Sequence, residues 1–261
     1  MQALNEFKNK ITVVLTDIDD TLTDHGQLRS QAYQALWKLH QSHVKIIPVT
    51  GRPAGWCEMI ARVWPVHGIV GENGGFYFRY HNKKMHRHYV FDHATMLQNR
   101  HKLDLIQQEV HRLVPHAGIA SDQFCRLMDL AIDFCEDVPA LSKQEVEQIV
   151  AIFERHGAQA KVSSIHVNGW FGNYNKVTQS LHYLKTELGL SESSIQEQCA
   201  FIGDSPNDEP MFDFFQNSFA VANIAPFLNQ ISKKPKFICT QTGRQGFSQF
   251  ARQILDNNSQ K

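Results

Sequence analysis

Four short segments hold residue types that together can move a phosphoryl group. Asp17, Asp19, Asp20 and Thr21 lie in DIDDT at 17–21. Thr50-Gly51-Arg52 forms a second segment, Lys176 a third, and GDSPND at 203–208 brings Asp204, Asn207 and Asp208. Carboxylates gathered from two separate segments repel unless a cation lies between them, and oxygen ligands with room for water suit Mg²⁺. A hydroxyl at Thr50 and an ammonium at Lys176 supply the hydrogen bonds and positive charge that a phosphate needs. An anionic metal site beside a phosphate clamp is the local logic of phosphoryl transfer. No segment is specific by itself, because aspartates are common turn formers after strands. Arg52 reads equally well as a surface or structural residue.

The elements that must position these residues are legible from periodicity. ITVVLT at 11–16 is a continuous apolar run of the kind buried on both faces of a parallel sheet, and it ends at Asp17. Ala32, Ala35, Leu36 and Leu39 take helical spacing, then come VKIIPV at 44–49, a helix at about 54–63 and a short strand near 68–70. The rhythm returns late, with a helix near 175–188, CAFI at 199–202, a helix near 208–216, FAVA at 219–222, KFICT at 236–240 and a last helix near 244–255. This alternation predicts an α/β fold with a doubly wound parallel sheet. In such sheets ligands bind beyond the carboxyl ends of the strands, which is where all four segments fall.

The middle of the chain reads differently. FYFRY at 76–80 and MHRHYVF at 85–91, joined by His81-Asn82-Lys83-Lys84, form a hairpin, and a helix follows near 94–114. LMDLAIDF at 127–134 sets Leu130, Ile132 and Phe134 against Asp129, Ala131 and Asp133, the pattern of a one-sided strand. Ser142 and Glu145 form a capping box that opens a further helix, and strands near 158–163 and 165–170 close the block. We therefore expect an α+β unit at 82–171 inserted into a discontinuous core of 1–81 and 172–261. Residues 79–102 carry six Lys or Arg, one acid and five His. Their spacings match no zinc signature, so this stretch reads as a solvated face.

Composition bounds the class. At about 150 residues per domain, 261 residues make roughly 1.7 domains. A hydrophobic share of 42% excludes a disordered chain, and a formal net charge of zero argues against a generally basic nucleic-acid or membrane binder. Five cysteines with no CxxC pair read as free thiols of a cytoplasmic protein. We expect no signal peptide and no membrane span. No P-loop, GxGxxG or GxSxG motif is present.

DIDDT, TGR, Lys176 and GDSPND resemble the four ordered motifs of the haloacid dehalogenase (HAD) superfamily of phosphatases. ENGG at 72–75 and the position of the insertion resemble its subfamily IIB, the Cof-like and sucrose-phosphatase-like enzymes. Many members carry Gly where this chain has Asp20. The resemblance implies a Rossmann-like core with an inserted cap. It also implies a Mg²⁺-dependent phosphatase acting on a small phosphorylated metabolite, with neither nucleic acid nor membrane as partner.

By that resemblance Asp17 is the nucleophile, forming an aspartyl-phosphate, and Asp19 the general acid and base. Mg²⁺ is held by Asp17, Asp204 and the Asp19 carbonyl, with Asp208 close by. Thr50, Gly51, Lys176 and Asn207 bind phosphate or orient its ligands. If the cap roofs the site as in relatives, Asp129, Asp133, His166 and Asn168 read substrate hydroxyls, and Asn73 borders the substrate. Two rivals stay open: a phosphomutase of the same superfamily, and a binding protein that keeps the fold without turnover.

Overall fold

The computed structural model describes residues 1–163 and 165–259. In chain order it runs β1 (Gln2–Ala3), β2 (Val13–Thr16), α1 (Ser30–Gln41), β3 (Lys45–Pro48), α2 (Ala54–Val63), β4 (Ile69–Gly71), β5 (Phe76–His81), β6 (Lys84–Tyr89) and α3 (His93–Leu113). Next come β7 (Gly118–Ile119), β8 (Asp129–Asp133), α4 (Lys143–Arg155), β9 (Gln159–Val162) and β10 (His166–Trp170). The chain closes with α5 (Lys176–Leu188), α6 (Glu192–Gln198), β11 (Cys199–Gly203), α7 (Glu209–Phe214), β12 (Asn217–Ala220), β13 (Phe237–Ile238) and α8 (Gly243–Ser259).

Among the described residues, six strands form a parallel sheet in the order β1-β13-β12-β11-β2-β3. Its strands read as unbroken apolar runs because both faces are covered. Val14, Ile46, Ala200 and Ile202 enter one cluster, while Val13, Leu15, Ile47 and Phe201 enter another on the opposite face. Register then places the chemistry. Thr16 is level with Ile202 on one side and with Pro48 on the other. The chain therefore leaves β2 at Asp17, β3 just before Thr50 and β11 just before Asp204 along one edge.

The hairpin of β5 and β6 pairs with β4, and β4 meets the parallel sheet through a bridge between Val49 and Val70. Its turn is tighter than the four residues read from the sequence. Asn82 and Lys83 both take positive φ, 50° and 60°, the backbone of a two-residue turn whose twist matches the strands. The segment beyond folds its own antiparallel sheet, β7-β8-β10-β9. Helices α3 and α4 pack on it through Leu103, Ile106, Val110, Ile149 and Phe153.

The one-sided reading of β8 needs correction. All five residues of β8 and all five of β10 are buried, so the face carrying Asp129 and Asp133 is covered rather than solvated. Strand β12 also shifts, because it begins at Asn217, where FAVA suggested 219. Helix α6 and the two-residue strands β1 and β7 carry too little periodicity to be read from sequence. Among the described residues no helix is long and apolar enough to cross a membrane.

Candidate active site

Asp17 continues the β2 ladder by donating its N–H to the Ile202 carbonyl at 2.9 Å. The turn after it is closed by Leu22 and Thr23 N–H on the Ile18 carbonyl. That turn needs a left-handed residue at position 20, and Asp20 supplies it at φ 54°. A small polar side chain tolerates this conformation better than most, which explains how Asp stands there in place of Gly.

Lys176 is the first residue of α5, whose start is fixed by Asn175 accepting the Thr178 N–H. Its ammonium lies 2.8 Å from Asp17 Oδ1 and 2.9 Å from Asp208 Oδ1. The other Asp208 oxygen accepts the N–H groups of Asp204 and Ser205. This contact demands glycine at 203, where a Cβ would sit 2.3 Å from that oxygen. Thr21 donates to Asp204 Oδ1 at 3.2 Å. Ligand oxygens of Asp17, Asp204 and Asp208 lie within 4.8 Å of one another, the one such cluster among the described residues.

The charges do not cancel. Three buried carboxylates face one ammonium. Burial first, and then Asp208 and Asp19, push Asp17 up to about 7 against the pull of Lys176. Burial together with Asp17 and Asp208 pushes Asp204 up to about 9. For Lys176 burial works downward, yet Asp17 and Asp208 together raise its pKa above the ordinary value. A hard divalent cation fits this oxygen set and its surplus negative charge.

Thr50 is fully buried, and its hydroxyl oxygen accepts the Arg52 N–H at 3.0 Å, which leaves its proton to donate outward. Arg52 forks onto Asp19, with Nη2 2.7 Å from Oδ1 and Nε 3.0 Å from Oδ2, and its guanidinium rests 4.5 Å from the Trp56 ring centre. Asn207 sits partly exposed in the turn at 206–208, and it is Asp208, one residue on, that holds Lys176.

A model of the haloacid dehalogenase-like hydrolase family matches residues 14–113 and 173–250, a span that contains all four segments. The chain belongs to the haloacid dehalogenase-like hydrolases. Solved structures similar to this hydrolase share its fold at low identity. A Thermoplasma acidophilum protein, 0175, superposes with a TM-score of 0.74 at 16% identity, covering 95% of this chain and 99% of its own. A HAD-superfamily phosphatase of Bacteroides thetaiotaomicron gives 0.63 at 17%, covering 93% and 94%. The sucrose-phosphatase of Synechocystis sp. PCC6803, solved with sucrose and phosphate, gives 0.61 at 16%, covering 92% and 98%. No functionally curated protein matches the sequence.

The inserted segment of this hydrolase places its expected site residues in another chemical setting. Asp129 is fully buried, pairs with Arg126 at 3.1 Å and accepts from Asn168 Nδ2 at 3.2 Å. Asp133 accepts the N–H groups of Cys135, Glu136 and Asp137, so it builds the loop after β8. His166 Nε2 lies 2.9 Å from Glu136 Oε2 without hydrogen-bond alignment, and Asn168 Oδ1 is buried with no hydrogen-bond partner. Asn73, left-handed at φ 56°, supports the loop at 50–52 from below, its side chain 3.2 Å from the place of a Gly51 Cβ.

Sequence reasoning passed over Arg126 and gave Glu72 no definite part. Glu72 is wholly buried, and burial together with Asp129 pushes it up to about 7. For Arg126 a signal existed, since Asp122 and Asp129 flank it at helix-like spacing and both pair with it. On the solvated stretch, Arg87 and Arg79 fold back onto Glu58 and Glu187.

Proposed function

We propose that the protein is a Mg²⁺-dependent phosphatase that hydrolyses the phosphomonoester of a small metabolite, a sugar phosphate by preference, through an aspartyl-phosphate. The observation that carries this reading is Lys176 joining Asp17 to Asp208 beside Asp204, at the sheet edge of a hydrolase of this family. The sugar preference draws on the neighbour solved with sucrose and phosphate. A cytoplasmic setting belongs to the same reading, in keeping with the buried free thiols of Cys57, Cys199 and Cys239.

Asp17, Asp204 and the Asp19 carbonyl would hold the cation, with Asp208 behind them. When bound, Mg²⁺ would offset the carboxylate charge and that of the transferring phosphoryl group. The residues do the rest. Lys176 screens the Asp17 carboxylate from an incoming anion and aims its free oxygen at phosphorus. Thr50 donates its spare proton to a phosphoryl oxygen, which fixes the phosphoryl group for in-line attack. The bond from phosphorus to the leaving oxygen breaks as that from Asp17 to phosphorus forms. Asp19 gives its proton to the leaving alcohol and later takes one from the water that cleaves the aspartyl-phosphate. Before it can do so, Asp19 must leave the fork of Arg52, which occupies both its oxygens here.

A phosphate-release screen over phosphorylated metabolites with Mg²⁺, repeated in EDTA, tests this. Release from sugar phosphates that EDTA abolishes supports it. Isomer formation without phosphate release assigns a mutase instead, and silence across the panel removes the enzymatic reading.

A further inference from the structure

The loop that carries Thr50 and Arg52 is fastened through its carbonyls. The Thr50 carbonyl accepts the Asn73 N–H at 3.1 Å, and the Arg52 carbonyl accepts the Glu72 N–H at 3.2 Å. The Gly51 carbonyl between them accepts Arg126 Nη1 at 3.1 Å. The first two ties come from the core. The third reaches across from the inserted segment, from a side chain only 2% exposed.

Glu72 returns the connection in the opposite direction. Its carboxylate accepts the N–H of Ala54 at the start of α2 at 2.8 Å, and those of Leu127, Met128 and Asp129 in the inserted segment. A wholly buried carboxylate that receives four backbone donors from two parts of the fold is costly unless each bond is kept. Glu72 and Asn73 moreover hold consecutive positive φ angles of 42° and 56°, which non-glycine residues keep only where the surroundings enforce them. Arg126 is pinned in turn by Asp122 and Asp129. Glu72 and Arg126 thus form a two-way clamp whose jaws are 50–54 of the core and 126–129 of the insertion.

We propose that Glu72 and Arg126 are positioning residues that make the seat of the inserted unit set the position of the phosphate-binding loop. This deepens the phosphatase reading and rests on it for the role of Thr50. The two carboxylates expected to bind the cation, Asp17 and Asp204, come from other strands, so the clamp holds one half of the site and leaves the other alone.

The test is binding of inorganic phosphate, followed by calorimetry with Mg²⁺ present, beside Mg²⁺ binding alone, in the full-length protein. Arg126→Met is expected to weaken phosphate by about tenfold or more while Mg²⁺ affinity stays within about twofold. Glu72→Gln, which puts an amide among four donors, is expected to do the same. Arg126→Lys keeps the charge but not the fork and should fall between. Should Arg126→Met fail to fold, Arg126→Lys and Glu72→Gln carry the test. Folded variants that bind phosphate like the parent, or that lose Mg²⁺ in equal measure, overturn the proposal. If the parent binds phosphate yet hydrolyses no ester, the phosphatase reading fails while the clamp is still measured.

Discussion

The sheet edge and the junction with the inserted unit are built from the same residue types and treat them in opposite ways. At the edge, Asp17 and Asp208 share one lysine beside Asp204, and burial with this crowding lifts Asp17 and Asp204 far above the ordinary carboxylate range. At the junction Asp129 has Arg126 and Asn168, Asp133 has three N–H donors, and Glu72 has four. Buried acids with a full set of donors build structure, whereas acids left in surplus charge wait for a partner from outside. Glu72 is the intermediate case, fully bonded yet raised to about 7 by burial and by Asp129.

Exchanging damage between the two regions tests this contrast most severely. Asp17→Asn should lower phosphate release by at least about a thousandfold, because a neutral amide cannot attack phosphorus. Its thermal midpoint should stay within a few degrees of the parent. Normal turnover in that variant would remove Asp17 from the chemistry.

Asp133→Ala should do the reverse. It removes the acceptor shared by three part-buried N–H groups, a loss on the order of 1–3 kcal/mol in urea unfolding, while the folded fraction keeps turnover within about tenfold. Unchanged stability would show that the loop after β8 does not depend on this carboxylate.

How much of this was legible in the sequence follows from the same contrast. The sheet edge was readable because an unbroken apolar run, ITVVLT, stops at Asp17 and the chain can only leave the sheet there. The same holds where CAFI gives way to Gly203 and Asp204. At the junction, alternation along β8 separated Asp129 and Asp133 from Leu130 and Ile132 correctly. It could not say what covers the acidic face, because that depends on β10 and on Arg126, whose side chain also reaches Gly51 far back along the chain. Glu72 was visible as a residue of ENGG, but its partners at 127–129 lie too far along the chain for local spacing to reveal.

The surplus charge at the edge also has a sign in pH. Asp204 is raised from 3.8 to about 9 and Asp17 to about 7, so folding favours their protonated forms. The associated stability is complete at low pH and is lost as pH rises through those values. His67 is held down to about 4, mainly by burial, and opposes this only below its unfolded value. Between pH 9 and 7 the carboxylates therefore dominate. In EDTA the thermal midpoint should rise as pH falls from 9 to 7, by an amount worth on the order of 1–3 kcal/mol. Saturating Mg²⁺ should flatten that slope, since the cation favours the ionised forms. An equal slope with and without Mg²⁺ would mean that the acidic cluster is not where the cation binds.

The smallest expected effect lies at Asn168, on the inserted side of the junction. Asn168 gives one amide proton to Asp129, and its buried oxygen has no hydrogen-bond partner. Such an atom costs free energy unless something else pairs with it, and a hydroxyl of the leaving group is one donor of the right kind. Asn168→Ala should then raise KM for a sugar phosphate by about three- to tenfold, one neutral hydrogen bond's worth, with kcat little changed. A small phosphate ester without hydroxyls should show no change in KM. The difference between the two substrates is the decisive quantity, because loss of the Asp129 contact alone would disturb both alike. Equal shifts would make Asn168 a support of the Arg126 pair, and the junction would then be structural throughout.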